Sequence, residues 1–269
     1  MLWQYITLIY RESPIFFMLA ACLQLQIQLC RREVNLEKAL EMAGLALQQG
    51  AEILVFPELF LTGFCYEPQG DDYPPYPTLD PFRDLSREHG CMIIGSLKSG
   101  RYNLGFVLEG ERSEFRPKIH PFGEEEEHFD GGERVSPVLT SIGGVGLEIC
   151  YDLRFPEVAR SLSLQGADIL VTVAQFPHAR RDQWRILCLA RAIENQLPHL
   201  ACNCAGSPFA GSSMIIDARG RALAEAGQEE ALLLGQIDLA ERDQFQREIT
   251  CAKDRRPGAY GPGAYGDLR

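Results

Sequence analysis

The chain has 269 residues, 46% hydrophobic and 23% charged, a balance that excludes disorder and allows one large α/β domain or two small ones. Its 26 basic and 37 acidic residues leave a formal net charge of −11, which repels phosphate backbones and anionic lipid and argues against nucleic acid or membrane as a partner. Only 4 of the basic residues are lysines, so each lysine is informative.

Residues 1–17 are apolar, but Arg11 and Glu12 interrupt them and no basic stretch precedes them. They read as an N-terminal extension ahead of an alternative start at Met18, with a signal peptide as the alternative. Strict alternation in "CLQLQIQL" predicts the first strand over 20–29. Leu36, Leu40, Met42, Leu45 and Leu47 recur at helical spacing, and Gly50 stands where a C-terminal cap belongs. A buried strand, "AEILVFPE", follows. Then come a helix over 81–89, strands at "CMIIGSL" and "NLGFVLEG", and a turn at Glu109-Gly110 back through "SEFRPK". After an acidic loop the pattern gives "GGVGLEIC", a helix from Glu157, another strand, a long helix over 181–196, and strands at "HLACNC", "SSMIID" and "ALLLGQID".

"LQQGAEILVF" at 47–56 is echoed by "SLQGADILVT" at 163–172, which suggests two similarly wound halves. Alternating strands and helices imply α/β layering, and the mixed connections fit stacked sheets better than one doubly wound sheet. A single domain is expected over 18–261, followed by a Gly/Pro-rich tail at 262–269. The nine cysteines lack the spacing of a disulfide framework and read as reduced, mostly buried thiols of a cytoplasmic protein. Cys202 and Cys204 form C-x-C without a second ligand pair, which makes a poor zinc site.

Three residues stand at strand ends: Glu58 after "ILVFP", Lys118 after "SEFRP" and Cys150 after "GVGLEI". Alone, a cysteine in an apolar strand is core filling, Glu58 a surface acid and Lys118 a solvated loop residue. Together they form a chemistry. A thiol needs a base to become a good nucleophile, a carboxylate can take and return its proton, and an ammonium can hold a developing oxyanion. The backbone N–H of Tyr151, next to the nucleophile, would be the second oxyanion donor. No histidine, metal or cofactor is needed.

"FPELFLTGF", "RPKIHPFGEEEEHF" and "EICYDLRFPE" together resemble the nitrilase superfamily of carbon–nitrogen hydrolases, and the three motifs stand in the family's order. The resemblance runs from about residue 19 to "KDRRPGAYG". It implies a four-layer α-β-β-α sandwich and a Glu–Lys–Cys triad with Glu58 as base, Lys118 as oxyanion stabiliser and Cys150 as nucleophile. It also implies a supporting glutamate, which falls on Glu125 with Glu126 as runner-up; at least two of the four glutamates 124–127 read as solvated loop. A homodimer or higher homo-oligomer is expected. Arg154 with Glu157, and Arg191 with Glu194, read as structural ion pairs.

"CYD" after the nucleophile resembles amidase branches, and "PELFLTGF", "AQFPHARRDQW" and "ARAIENQLPHLACNCAG" look most like the bacterial ω-amidase-like branch. That resemblance implies a small-molecule amide carrying a carboxylate, of the 2-oxoglutaramate type. The alternatives are deaminated glutathione or N-carbamoyl compounds. Arg180 is the candidate cation for the carboxylate, because guanidinium binds it as a bidentate fork. A surface role beside Arg181 is the alternative. Phe64 and Phe176 are candidate pocket walls, with plain core packing as the alternative. "KIHPF" has proline where the family usually has leucine, and "NCAGSPFAGSS" is shorter than in relatives; both bear on substrate more than on catalysis.

Overall fold

The computed structural model describes residues 17–260. The chain builds two six-stranded sheets. The first contains β1 (Phe17–Gln24), β2 (Ile53–Val55), β3 (Met92–Ser99), β4 (Tyr102–Glu109) and β5 (Arg112–Pro117). The second contains β6 (Val138–Thr140), β7 (Gly143–Ile149), β8 (Ala167–Ala174), β9 (His199–Asn203), β10 (Met214–Ile216) and β11 (Ala222–Glu225). The last strand, β12 (Ala231–Asp238), returns to the first sheet, giving the orders β12-β1-β2-β3-β4-β5 and β11-β10-β9-β8-β7-β6.

The period-2 pattern assigns each strand residue to a layer. In β1, Met18, Ala20 and Cys22 face a core shared with Val145, Leu147 and Ile149 of β7 and Ile169, Val171 and Val173 of β8. The alternate residues Ala21 and Leu23 pack outward with Ala39, Ala43 and Ala46 of helix α1 (Arg32–Gln48). Behind the second sheet, Leu170 packs with Val158, Ala159 and Leu162 of a helix over Pro156–Leu164. Helices therefore cover the outer faces of two sheets packed inner face to inner face, an α-β-β-α sandwich. The echo between 47–56 and 163–172 corresponds to the same helix-to-strand passage, once in each sheet.

Several expectations change in detail. The first strand runs over Phe17–Gln24 rather than 20–29. It takes in Phe17, the last residue assigned to the extension; residues 1–16, the rest of that segment, and the tail beyond 260 lie outside the described residues. On α1 the buried face is Asn35, Ala39, Ala43 and Ala46, while the leucines flank it and Leu45 is exposed. Small side chains at the contact let the helix approach the sheet closely, so the apolar spacing located the helix but not its inner face.

The cysteine reading is corrected: Cys30 and Cys65 form a disulfide, and the other seven are free, all buried except Cys251. Its spacing resembles no framework because it is a single staple between two loops that meet at one end of the first sheet. The unpaired thiols that supported a cytoplasmic location are thus fewer than expected. No helix among the described residues is long and apolar enough to cross a membrane.

A candidate active site at the strand ends

Glu58 lies just past β2, where Phe56 N still pairs with Ile94 O of β3 at 2.8 Å before the chain leaves the sheet. The next residue, Leu59, has φ 47° and its N–H donates to Ser96 Oγ at 2.8 Å, so the turn that aims Glu58 is held by β3. Lys118 follows β5 directly, its N–H bonded to Asn103 O of β4 at 2.9 Å. Cys150 follows β7 directly, has φ 49° and opens a 3-10 turn over Cys150–Arg154. A non-glycine residue in the left-handed region is uncommon and costs free energy, which the surrounding packing must offset.

The three residues come together although 60 residues separate Glu58 from Lys118 in the chain. Lys118 Nζ donates to Glu58 Oε1 at 2.8 Å and to Glu125 at 2.7 Å (Oε2) and 3.0 Å (Oε1). Glu125 is buried on the one-turn helix Glu125–His128, while Glu124, Glu126 and Glu127 are exposed. Glu125, and not Glu126, thus reaches the lysine. On the far side of Glu58, Asn103 Nδ2 donates to Oε1 at 2.7 Å and Gln175 N to Oε2 at 3.0 Å, and Gln175 Nε2 holds Glu58 O at 2.8 Å.

Charge organises this group. Burial alone would drive the proton off Lys118, but the charges of Glu58 and Glu125 reverse that and hold the ammonium protonated. Burial, with repulsion from Glu58, pushes the Glu125 carboxyl up to about 7 against the pull of Lys118. Burial pushes the Cys150 thiol well up, Glu58 adds to this, and Lys118 and the Gln175 N–H oppose it. The resting cysteine is therefore a neutral thiol beside a carboxylate and an ammonium. Such a set can pass the thiol proton to a neighbouring base as the sulfur attacks, and can stabilise negative charge forming on a bound carbonyl.

Asp152 fixes the relation between the lysine loop and the cysteine turn. Its carboxylate accepts from Ile149 N at 3.2 Å, Ile119 N at 3.3 Å, and His120 N and Nδ1 at 2.9 Å each. The residues before Cys150 and after Lys118 are thereby tied to one buried side chain.

Aromatic rings surround this group. Phe64 is half-buried with Lys118 Nζ 6.0 Å from its ring centroid. Tyr66 stacks on His128 at 3.8 Å, and burial together with Glu125 pushes its hydroxyl up to about 12. Tyr151, the residue after the cysteine, packs 4.5 Å from exposed Phe122, and the Arg180 guanidinium lies 5.3 Å from the centroid of Phe122. Arg181 is tied down by Ser212 Oγ at 2.8 Å, whereas Arg180 has no carboxylate partner among the described residues.

Other expected residues sit elsewhere. Phe176 is buried, 5.3 Å from Trp184 and beneath the guanidinium of Arg154, so it fills the core rather than an open wall. Arg191 pairs with Glu194 at 2.9 Å, but Arg154 donates to Gln183 at 2.9 Å and makes no ion pair with Glu157 among the described residues. Phe155 between them carries the chain out of the 3-10 turn, so the local spacing is not helical. Asn103, Gln175 and Asp152 were not singled out from the sequence. The available signal was the same for each: a polar residue in or beside an apolar strand.

Comparison with known proteins identifies relatives of this chain. The 2-oxoglutaramate amidase of Bacillus subtilis (strain 168) is 36% identical over 257 residues, spanning 89% of this chain and 98% of that protein. The crystal structure of a carbon-nitrogen hydrolase from Helicobacter pylori G27 matches with a TM-score of 0.83 at 26% identity, over 91% of this chain and 97% of that one. A mutant of the amidase from Nesterenkonia sp. AN1, solved with the acetamide moiety of fluoroacetamide added covalently at its active-site cysteine, matches with a TM-score of 0.78 at 25% identity, over 90% and 95% of the two chains. The model of one family, carbon-nitrogen hydrolase, covers residues 19–247, nearly all of both sheets and the whole of the site, and this chain belongs to that family.

Proposed function

We propose that this protein is an ω-amidase-like enzyme that hydrolyses the side amide of a small 2-oxo acid of the 2-oxoglutaramate type through a thioester on Cys150. The observation that carries the reading is the seating of Lys118 between Glu58 and Glu125, with the Cys150 thiol inside the same field of charge.

Glu58 takes the proton from Cys150 Sγ as the sulfur attacks the amide carbon, and the carbonyl electron pair moves onto oxygen. Lys118 Nζ and the Tyr151 N–H hold that oxyanion. The tetrahedral intermediate collapses, Glu58 returns the proton to the departing nitrogen, and ammonia leaves a thioester. Glu58 then draws a proton from water as it attacks the thioester carbon. The acid product leaves and the thiol is regenerated. Glu125 keeps Lys118 charged and aimed. Arg180, without a carboxylate partner among the described residues and 5.3 Å from the Phe122 ring centroid, is assigned to the substrate carboxylate.

Ammonia release from 2-oxoglutaramate, compared with glutamine, a simple aliphatic amide and an N-carbamoyl amino acid, tests the reading. The expected result is preference for 2-oxoglutaramate, loss of turnover in Cys150→Ala and a raised KM in Arg180→Ala. Preference for another substrate overturns the substrate assignment, and retained activity in Cys150→Ala overturns the mechanism.

A further inference from the structure

We infer that Asn103 is a positioning residue for Glu58: with Lys118 it fills the acceptor sites of Oε1 and leaves Oε2 as the oxygen that carries the proton. This rests on the reading of Glu58 as the base and adds the atom that does the work and the residue that selects it.

A carboxylate offers roughly two acceptor sites on each oxygen. Both sites of Oε1 are taken, by Asn103 Nδ2 at 2.7 Å and Lys118 Nζ at 2.8 Å. Oε2 accepts one bond, from Gln175 N at 3.0 Å, which leaves it one site. The Gln175 N–H that holds Oε2 is also a hydrogen-bond partner of Cys150, which ties this oxygen and the thiol to one donor. The thiol proton passes to Oε2 while the sulfur keeps the electron pair, and Oε2 later returns it to the departing nitrogen. Oε1 stays bound to two N–H donors throughout.

Asn103 has the form of a residue kept for this bond. It is 1% exposed in β4, and its Oδ1 has no hydrogen-bond partner. An apolar residue of similar size would fill the space without burying an orphaned oxygen. The backbone of Asn103 also accepts from Lys118 N, so one residue sets the lysine's backbone and the glutamate's rotation together.

The test measures ammonia release by the full chain on whichever amide of the four-substrate panel is fastest, for the parent, Glu58→Gln, Asn103→Leu and Asn103→Ser. Leucine keeps the volume and removes the donor; serine restores a donor. Circular dichroism and thermal melts show which variants fold. The expected result is an inactive Glu58→Gln. Asn103→Leu should lose about 30-fold in kcat, the scale of a lost hydrogen bond to a charged group. Its KM should stay within about threefold of the parent, with part of the kcat recovered in Asn103→Ser.

An inactive Glu58→Gln with a near-parental Asn103→Leu overturns the inference and leaves the base in place. A loss in Asn103→Leu that tracks melting temperature, or that Asn103→Ser does not relieve, assigns Asn103 to packing and also overturns it. Activity in Glu58→Gln, or silence of the parent on all four amides, overturns the reading beneath it and the inference with it.

Discussion

Lys118 Nζ lies 2.8 Å from Glu58 Oε1, with both side chains closed to solvent at 1% and 0% exposure. An ion pair buried this fully is sustained only by further partners: the ammonium also meets Glu125, and the Glu58 carboxylate also accepts from Asn103 Nδ2 and Gln175 N. Removing the cation leaves two buried carboxylates facing each other. Lys118→Met should therefore lose all turnover and destabilise the fold by about 3–5 kcal/mol, the usual result of stripping one partner from a buried pair. Adding Glu125→Gln should recover part of that loss. Urea unfolding of the parent, single and double variants checks this, and an unchanged midpoint for Lys118→Met would mean that the charges are not held as described.

The Glu125 carboxyl gives the site a pH dependence with a definite sign. Burial and the charge of Glu58 raise it to about 7, so it is ionised above that pH and neutral below it. As it takes a proton, Lys118 loses one of the two anions that orient it. Turnover should fall on the acid side as pH drops through about 7. In Glu125→Gln that limb should flatten, with kcat lower by about 10–100-fold at pH 8, the worth of a hydrogen bond to a charged group. A pH profile of kcat for both proteins decides; an identical acid limb in the variant removes Glu125 as its source.

The parts of this site that could be read from the sequence share a physical cause. Glu58, Lys118 and Cys150 each break an apolar or strand-like run at its end, where periodicity makes a polar residue conspicuous. Glu125 needed the match to the family's loop, because the four glutamates 124–127 look alike until the one-turn helix buries one of them. Asn103, Gln175 and Asp152 were illegible for another reason: their partners are 45, 117 and 32 residues away, and a lone polar residue beside a strand does not announce a distant acceptor. Of the fold, the apolar strands β2, β3, β4 and β7 were located to within a few residues, while the strictly alternating "CLQLQIQL" overlaps β1 only at 22–24. The short strands β6 and β11 and the helix over Leu239–Glu248 were missed, since their faces are only partly buried and their patterns weak.

A further buried carboxyl, Glu148, stands two residues before the cysteine. It accepts from Thr172 Oγ1 at 3.2 Å, and Thr172 Oγ1 in turn lies 2.7 Å from His199 Nε2, but Glu148 Oε1 has no partner. Burial raises it from 4.5 to about 8 despite the nearby charge of Arg191. The folded chain thus holds this proton more tightly than the unfolded one. Its contribution to stability is complete below about 4.5 and is lost as pH rises through about 8. Glu148→Gln keeps the shape without the titration. Its stability relative to the parent should rise between about pH 5 and pH 8, by at most about 1.4 kcal/mol per pH unit, and level off above that. A constant difference across that range would show that Glu148 is not proton-linked to folding.

The Cys30–Cys65 disulfide holds the loop that carries Phe64 and Tyr66 to the site. Cys30 N donates to Thr62 O at 2.8 Å, so the staple and a backbone bond clamp the same segment, and Phe64 stands beside Lys118 from its far end. The bridge closes a loop of 35 residues, which in the chain-entropy account restricts the unfolded state by about 4 kcal/mol. Two measurements follow. Denatured, unreduced protein should titrate 7 thiols, and 9 after reduction. Cys30→Ser/Cys65→Ser should unfold at lower urea, with a loss approaching that figure, while keeping the residues of the Glu58–Lys118–Glu125 group intact. Nine thiols before reduction would show that the bond is not formed in solution. An unchanged midpoint with 7 thiols would show that it forms without constraining the unfolded chain.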